Sequence, residues 1–310
     1  MKTAFVFPGQ GSQSIGMLNS WVDNKIVNET MSLASDTLNQ DIKKIIHEGP
    51  IDNLNLTLNT QPIMLAVGFA FFSAWCNAGG KLPSIMSGHS LGEYTALVAA
   101  EAISFPDALR LVRFRAEAMQ SVIPIGVGLM AAVIGLNVDV IIDICKLNTT
   151  NDSVVEVVNF NSPNQVVIAG NKAAVLKLSE ELKKHGAKKV IILPVSAPFH
   201  SSLLKPVYEI LLDFLDNIEI RTPKIDVINN VDVKIYRDPS YIREALARQS
   251  CNPVRWIEII KEMSNMGIKN VIECGPGVVL SGLTKRIDSS LFSKSINNPD
   301  SLQDVLNYLN

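Results

Sequence analysis

The run Gly88-His89-Ser90-Leu91-Gly92 places a serine between two glycines at the start of a helical pattern. A short apolar strand pattern precedes it, and the order strand, G-x-S-x-G and helix is the context of a nucleophile elbow. A serine on such a turn lies near a helix N-terminus, where unpaired backbone N–H groups stabilise negative charge. We therefore predict that Ser90 is a catalytic nucleophile and that the N–H of Leu91 is an oxyanion donor. The alternative is a turn of small residues that performs no chemistry.

A serine nucleophile needs a base, and histidine is the usual one because its pKa lies near the working pH. The chain has four histidines. His47 and His185 end helical patterns, where a cation interacts favourably with the helix dipole, and His89 adjoins the serine on a tight turn. His200 lies where the chain leaves its middle segment, in a loop that can reach the end of a sheet. We take His200 as the candidate base, with a structural histidine as the alternative.

The third member of a catalytic triad has no clear candidate. In an α/β hydrolase the acid falls between the serine and the histidine in sequence. The acids in that interval fall mostly on predicted surface helices or strands, and they include Asp139, Asp143, Glu156 and Glu180. The sequence therefore predicts a Ser–His dyad whose imidazole is oriented by a backbone carbonyl.

Alternating strand and helix patterns on both sides of the middle segment must position these residues. Apolar runs predict strands at 3–7, 84–87, 224–231 and 270–274. Periodic patterns with caps and stops predict helices at 61–78, 91–100, 104–121, 239–249, 254–266 and 279–286, with Ser104 as an N-cap. Such alternation predicts an α/β fold, a hydrolase-like parallel sheet covered by helices.

The middle segment has its own order of elements. Strand, helix, strand, strand, helix and strand patterns follow one another at 129–135, 138–146, 154–160, 165–170, 172–185 and 188–195. This β-α-β-β-α-β order is that of the ferredoxin-like split motif. We therefore expect an inserted ferredoxin-like subdomain at 127–196 and a large domain made of 1–126 plus 197–310.

Composition narrows the class of protein. Of the 310 residues, 47% are apolar and 19% are charged, which is typical of a well-packed globular protein. A net charge of −2 indicates no global tendency to bind nucleic acid or a membrane surface. The stretch 60–80 is uncharged, yet its polar residues and glycines favour a buried core helix over a membrane span.

The cysteines indicate the compartment. The four cysteines form no C-x-x-C pair and have no metal-ligand spacing, so we expect reduced thiols and no metal site. The N-terminal segment lacks the length and cleavage site of a signal peptide. Both observations favour a cytoplasmic protein.

The residues singled out above belong to motifs that resemble those of the malonyl-CoA:acyl-carrier-protein transacylases. The resemblance covers the whole chain, with seven motifs in the family's order and spacing. They are Phe7-Pro8-Gly9-Gln10-Gly11-Ser12-Gln13, Gly88-His89-Ser90-Leu91-Gly92-Glu93, Arg115-Ala116-Glu117-Ala118-Met119-Gln120, Asn161-Ser162-Pro163 with Gln165-Val166-Val167-Ile168-Ala169-Gly170, Pro198-Phe199-His200-Ser201, Gln249 with Asn252-Pro253-Val254, and Glu273-Cys274-Gly275-Pro276-Gly277. Two positions depart from the pattern: Ala116 stands where glycine is frequent and Val278 where lysine is frequent.

The resemblance implies roles for an oxyanion hole and an anion site. Backbone N–H groups of Gln10 and Leu91 would hold the oxyanion. Arg115 would hold the free carboxylate of a malonyl group through two parallel hydrogen bonds. The helical pattern alone favours a different interpretation, in which Arg115 is a surface arginine beside Arg110 and Arg113.

Four further positions are implied to line or support the pocket. Gln249 would orient His200 through its backbone carbonyl or its side chain. Phe199 would leave no room for the extra methyl group of a methylmalonyl substrate. Gln61 would line the pocket from a helix start, and Asn161 would reach it from the small subdomain, unless it is a simple turn residue.

The resemblance implies an acyltransferase that moves malonyl from malonyl-CoA to the phosphopantetheine thiol of acyl carrier protein, through a malonyl-serine intermediate, for fatty acid synthesis. Such an enzyme, expected as a monomer, needs no cofactor because the partner carries the phosphopantetheine. Two alternatives remain: an acyltransferase that loads a polyketide synthase, and a serine esterase or thioesterase. Because carrier proteins are typically acidic, we expect docking at basic clusters, namely Lys183, Lys184, Lys188 and Lys189, and Lys285 with Arg286.

Overall fold

The computed structural model describes residues 2–124, 126–195 and 197–309. Within these residues the chain forms nine strands: β1 (Thr3–Phe7), β2 (Ile85–Gly88), β3 (Gly128–Ile134), β4 (Val155–Ser162), β5 (Gln165–Asn171), β6 (Lys189–Ile192), β7 (Val227–Ile228), β8 (Asn270–Cys274) and β9 (Phe292–Ile296). The same residues form thirteen α-helices: α1 (Lys25–Leu38), α2 (Ile42–Glu48), α3 (Ile51–Asn55), α4 (Thr57–Asn77), α5 (Leu91–Ala99), α6 (Phe105–Val122), α7 (Val138–Asn148), α8 (Lys172–Lys184), α9 (Lys205–Leu215), α10 (Pro239–Gln249), α11 (Trp256–Asn265), α12 (Val279–Ile287) and α13 (Pro299–Leu309). Short 3-10 helices lie at Asn19–Trp21 and Ser202–Leu204.

The large sheet has the strand order β7-β2-β1-β8-β9, and each neighbouring pair is parallel. Its central strand is buried on both faces. Phe5 and Phe7 belong to one hydrophobic core, while Ala4 and Val6 belong to the core on the opposite face. A strand that is covered on both faces has a continuous run of apolar residues in its sequence, and such runs predicted this sheet. The predicted α/β fold with a helix-covered parallel sheet is confirmed.

Helix α4 packs inside the first of these cores. Its apolar residues are buried around the helix, and α1, α5 and α6 contact it. A helix that is apolar all round belongs in the core of a large domain or in a membrane. No helix among the described residues combines the length and apolar character that crossing a membrane requires. The prediction of a core helix over 61–78 is confirmed, although the helix begins four residues earlier, at Thr57.

The small sheet has the strand order β4-β5-β3-β6, and its neighbouring strands are antiparallel. Helices α7 and α8 pack against it. This strand order is that of a ferredoxin-like unit. The prediction that the inserted subdomain has a ferredoxin-like fold is therefore confirmed. Its exact limits of 127 and 196 stay predictions, and Ser196 lies outside the described residues.

Several elements differ from the sequence prediction. Strand β7 has only two residues instead of the predicted 224–231, because the chain turns away at the sheet edge. Helix α11 begins at Trp256, since the backbone of Val254 pairs with β4 and cannot join the helix. Strand β9 and helices α9 and α13 were not predicted from the sequence.

Candidate active site

Ser90 lies on the turn between β2 and α5 with φ 53° and ψ −110°, a conformation that residues with a side chain rarely adopt. Glycines on both sides make this turn possible. A Cβ atom at Gly88 would lie 1.8 Å from the carbonyl carbon of Gly92. A Cβ atom at Gly92 would lie 2.0 Å from the carbonyl oxygen of Phe7. The strained serine turn therefore needs glycine at both flanking positions.

Asn230, which is fully buried, braces this turn. Its Oδ1 accepts a hydrogen bond from the N–H of Ser90 (2.7 Å), and its Nδ2 donates to the carbonyl of Gly88 (2.7 Å). Its own N–H donates to Oε2 of Glu93 (2.9 Å). We did not predict this residue, although a signal exists. Asn230 lies at the carboxyl end of the predicted strand 224–231, and the carboxyl ends of parallel strands are where α/β folds form sites.

His200 contacts the serine through one ring nitrogen and a backbone carbonyl through the other. Its Nε2 lies 2.7 Å from Ser90 Oγ, and its Nδ1 lies 2.8 Å from the carbonyl oxygen of Gln249. Because a carbonyl only accepts, Nδ1 carries the proton and Nε2 is left to accept the serine hydroxyl. Burial, followed by the charge of Arg115, lowers the pKa of His200 to about 3. The imidazole is therefore neutral at physiological pH, as a base must be.

Gln249 connects the histidine, the arginine and the serine turn. Besides its carbonyl on His200, its side-chain Oε1 accepts a hydrogen bond from Arg115 Nη2 (3.0 Å). Its Nε2 donates to the carbonyl of Ser90 (3.0 Å) and to Oε2 of Glu93 (2.8 Å). Burial raises the pKa of Glu93 to about 7, against the hydrogen bonds from Gln249 and Asn230, which lower it. The backbone carbonyl thus stands where a triad would place its acid.

Arg115 is buried, with 2% of its surface exposed, unlike the surface arginine that the helical pattern alone favoured. Its Nη1 donates to Oε1 of Gln61 (2.7 Å), and its Nη2 lies 3.3 Å from Ser90 Oγ. The guanidinium also lies 5.3 Å from the centre of the Tyr94 ring. No carboxylate in the described part of the chain forms an ion pair with it. A buried, unpaired cation beside a nucleophile is suited to bind an anionic group.

Two backbone N–H groups beside Ser90 are available to a ligand. No described residue accepts a hydrogen bond from the N–H of Leu91 or of Gln10. By contrast, the N–H groups of the next two residues of α5 bond to carbonyls of the serine turn. Leu91 is the first residue of α5, where N–H groups have no partner within the helix. Both N–H groups therefore remain free to hold an oxyanion.

These groups line one cavity of about 140 Å³, which lies between the small sheet and the loops and helices that follow strands of the large sheet. The lining residues are Gln10, Gly11, Gln13, Gln61, His89, Ser90, Leu91, Arg115, Met130, Asn159, Leu193, Pro194, Val195, Phe199 and His200. Most of its apolar side chains come from the small sheet and from the segment that leaves it, although the small sheet also contributes the polar Asn159. The cavity therefore combines apolar walls with polar groups and a buried cation beside Ser90, which suits an anionic ligand.

One predicted pocket residue lies elsewhere than we expected. Asn161 does not line the cavity, because its Oδ1 accepts a hydrogen bond from His89 Nε2 (2.8 Å). Asn159, two residues earlier on β4, lines the cavity instead. Phe199 and Gln61 do line it, and Gln61 also holds Arg115.

Two of the other histidines lie away from the cavity, whereas His89 lines it but has its Nε2 bonded to Asn161. His47 is exposed and contacts Asn19, and His185 ends α8 with its Nδ1 2.9 Å from the carbonyl of Glu181. Within residues 2–124, 126–195 and 197–309, no group of three or more His, Cys, Asp or Glu side chains is arranged to hold a metal ion. Only one histidine of the four is thus placed to act as a base on Ser90.

A family model described as acyl transferase domain matches residues 4–294. The malonyl CoA-acyl carrier protein transacylase of Salmonella typhimurium is 46% identical over 304 residues, or 98% of this chain and 98% of that protein. Among solved structures, an acyl-carrier-protein S-malonyltransferase from Burkholderia pseudomallei has a TM-score of 0.96 and 56% identity, over 99% of this chain and 100% of that one. A malonyl-transacylase in complex with its type II PKS acyl-carrier protein matches with a TM-score of 0.97 and 45% identity, over 99% of this chain and 100% of that chain.

Proposed function

The chain belongs to the acyl transferase domain family, and from that premise we propose that it moves malonyl from malonyl-CoA to the phosphopantetheine thiol of an acyl carrier protein. The chain is an acyltransferase enzyme, and its product supplies fatty acid synthesis. One observation carries the choice of substrate: the buried Arg115 guanidinium lacks a carboxylate partner and lies 3.3 Å from the nucleophilic oxygen. A malonyl group supplies that partner, whereas an acetyl group leaves the buried charge unpaired.

In the first half-reaction, Ser90 Oγ attacks the thioester carbonyl carbon while its proton passes to His200 Nε2. The developing oxyanion accepts hydrogen bonds from the N–H groups of Leu91 and Gln10, and each such donor contributes about 10²–10³ in rate. The carbon–sulfur bond then breaks, and the CoA sulfur leaves with the proton from His200. The low pKa of His200 favours this transfer, because the imidazolium readily gives its proton to the leaving thiolate.

In the second half-reaction the phosphopantetheine thiol takes the place of CoA. His200 accepts the thiol proton as the sulfur attacks the carbonyl carbon of the malonyl-serine ester. The ester bond breaks, Ser90 Oγ regains a proton from His200, and malonyl leaves on the carrier. The protein needs no cofactor of its own in this scheme, since the reactive thiols belong to its two substrates.

A carrier protein, a monomeric state and a cytoplasmic setting complete the proposal. The predicted basic residues in the small sheet region, Lys183, Lys184, Lys188 and Lys189, are all exposed, as are Lys285 and Arg286 on α12. The four cysteines are unpaired in the structure, which fits a reducing compartment. The proposal that a polyketide carrier is the acceptor keeps one supporting observation, the similarity to a transacylase bound to a type II PKS carrier.

Intact mass spectrometry after mixing the protein with malonyl-CoA tests the reaction and the substrate together. We expect a malonyl-sized adduct that is absent in Ser90→Ala, present in the exposed-serine control Ser32→Ala, and lost on addition of holo carrier protein. Free CoA should stop accumulating after one equivalent when no carrier is present. Continued CoA release over many turnovers would instead indicate a thioesterase.

A further inference from the structure

Strand β4 of the small sheet contacts the catalytic region of the large domain at three places. The Glu156 carboxylate binds Ser202, two residues after the catalytic base. The β4 backbone exchanges two hydrogen bonds of 2.9 Å with Val254, close to the end of α10. Near the far end of the strand, Asn161 binds His89. Two register shifts in its pairing with β5 let this single strand make contacts in these different directions.

The Glu156 contact joins the small sheet directly to the segment that carries the base. Oε2 accepts a hydrogen bond from the N–H of Ser202 (2.7 Å), and Oε1 accepts one from its hydroxyl (2.7 Å). Ser202 begins the 3-10 helix that leads into α9, and the preceding residue, Ser201, provides no side-chain cap. The carboxylate therefore caps this helical start from another domain. Among the described residues it forms no ion pair, so the cap is its main contact.

The segment that Glu156 caps needs outside support. His200 has φ 66°, a left-handed conformation that is costly for a residue with a side chain. Such a conformation persists only where the surrounding structure holds it in place. Within the turn itself, the Ser201 hydroxyl donates to the carbonyl of Pro198 (2.7 Å). On the other side, the carbonyl of Gln249 holds the ring.

We propose that Glu156 is a positioning residue for His200, and that it makes the alignment of the base depend on the seating of the small domain. This inference rests on the proposed function, in which His200 activates Ser90. The carboxylate fixes the chain two residues beyond the base while Gln249 fixes the imidazole, so together they hold Nε2 at 2.7 Å from Ser90 Oγ. In a catalytic triad the acid binds the imidazole directly. Here the Glu156 carboxylate instead binds Ser202, two residues after His200.

The test compares Glu156→Ala with Glu156→Gln. Alanine removes both hydrogen bonds, whereas glutamine can accept from the Ser202 N–H through Oε1 and donate to its hydroxyl through Nε2. We expect the acylation rate constant of Glu156→Ala to fall about 10- to 100-fold, as misplacement of a catalytic group by about 1 Å does. The KM for malonyl-CoA should stay within about twofold, because Arg115 is untouched. Glu156→Gln should recover most of the lost rate.

The matched control is Glu180→Ala, an exposed glutamate of the same domain that pairs with Lys183 on the surface. It should leave both constants unchanged. The proposal is overturned if Glu156→Ala keeps its rate, if its defect lies in KM, or if Glu156→Gln is as slow as Glu156→Ala.

A fluorophosphonate probe separates this inference from the proposed function, because it modifies an activated serine without needing the arginine site. We expect Glu156→Ala to slow modification of Ser90 as strongly as it slows acylation. If the wild-type protein reacts with the probe but forms no malonyl adduct, the proposed substrate is wrong, and the probe rates still decide the role of Glu156. Equal probe rates in wild type and Glu156→Ala contradict that role.

Discussion

At the scale of single residues, a cation and an imidazole both lie beside the Ser90 hydroxyl, namely Arg115 and His200. Burial is the main cause of the low pKa of His200, and the charge of the Arg115 guanidinium lowers that pKa further. The imidazole therefore stays neutral even though a carbonyl, which favours the protonated ring, faces its Nδ1. In our proposal, the arginine that binds the substrate carboxylate therefore also helps to keep the imidazole neutral.

This arrangement predicts the pH dependence of acylation. A base with the ordinary histidine pKa of about 6.5 would lose about tenfold in kcat/KM between pH 7.5 and 5.5. His200 has a folded-state pKa of about 3, so it remains unprotonated throughout that range, and we expect no acid limb near 6.5. The measurement is kcat/KM for CoA release from malonyl-CoA. Glu93→Gln serves as the comparison, since Glu93 is the buried group of the site with a pKa of about 7. An acid limb near 6.5 in both proteins would contradict the prediction.

The same depressed pKa has a consequence for stability. In the unfolded chain His200 takes up a proton below about 6.5, whereas in the folded protein it does so only near 3. Its contribution to the free energy of unfolding is therefore fully present above pH 6.5 and is lost as the pH falls towards 3. Acid favours the unfolded state through this residue.

Substitution of Arg115 should change substrate selection. We expect Arg115→Ala to lower kcat/KM for malonyl-CoA by about 10²-fold or more, since losing one partner of a buried charge pair costs about 2–5 kcal/mol. Activity with acetyl-CoA should not fall in parallel, because acetyl has no carboxylate to anchor. The control is Arg110→Ala, an exposed residue of the same helix that pairs with Asp107. Parallel losses with both thioesters would show that Arg115 acts in general positioning.

At the scale of elements, the serine turn depends on a loop that follows the edge strand β7. The turn is strained at Ser90, and the side chain of Asn230 satisfies the backbone groups on either side of it. Arg248 and Arg255 in turn hold that loop, through the Asp232 carboxylate and the carbonyl of Val231. The nucleophile is thus positioned by the end of a neighbouring strand as well as by its own strand and helix.

Removal of the Asn230 side chain tests this support. Asn230→Ala leaves the N–H of Ser90 and the carbonyl of Gly88 without their hydrogen-bond partner. Each buried polar group left unpaired lowers the free energy of unfolding by about 1–3 kcal/mol. We expect a lower free energy of unfolding in urea and a fall in kcat that exceeds any change in KM. The control is Asn217→Ala, an exposed asparagine at the end of α9. Unchanged kcat in a folded Asn230→Ala protein would show that the turn holds its geometry without the brace.

At the scale of the whole molecule, the cavity lies where two sheets with different roles meet. The large domain supplies Ser90, His200 and Arg115, and the small sheet with the segment that leaves it supplies most of the apolar lining. Besides β4, the two domains are linked by a hydrogen bond from Arg286 on α12 to Gln165 on β5 (2.9 Å). The cavity is therefore lined by residues of both domains, and a carrier protein contacts both in our proposal.

Charge reversal tests this docking surface. Because carriers are typically acidic, we expect Lys285→Glu to raise the KM for holo carrier protein severalfold, with the effect shrinking at high salt. Acylation by malonyl-CoA should be unchanged. Lys285 is preferred to Arg286, whose side chain links the domains. Lys25→Glu, on the exposed face of α1, is the control. An unchanged carrier KM would remove α12 from the docking surface.

The sequence alone determined the features that local pattern encodes. Buried parallel strands read as apolar runs, the split β-α-β-β-α-β order shows in the alternation of patterns, and Gly88 and Gly92 mark a turn that only glycine permits. Local pattern also indicated Ser90 as a nucleophile and His200 as a candidate base, whereas the role of Arg115 was implied by the family resemblance and not by its helix.

The tertiary structure alone decided which distant residues meet at that serine. Asn230 and Gln249 lie 140 and 159 residues beyond Ser90, and no periodicity along the chain records such contacts. Glu156 was dismissed as a surface acid because a strand pattern shows which face a side chain occupies but not what packs against that face. The physical reason is that secondary structure follows from neighbouring residues, whereas the packing of two domains determines the hydrogen bonds between them. Ser90 could therefore be predicted from its pentapeptide and Gln249 from the family resemblance, whereas the contacts of Asn230 and Glu156 could be found only in the folded molecule.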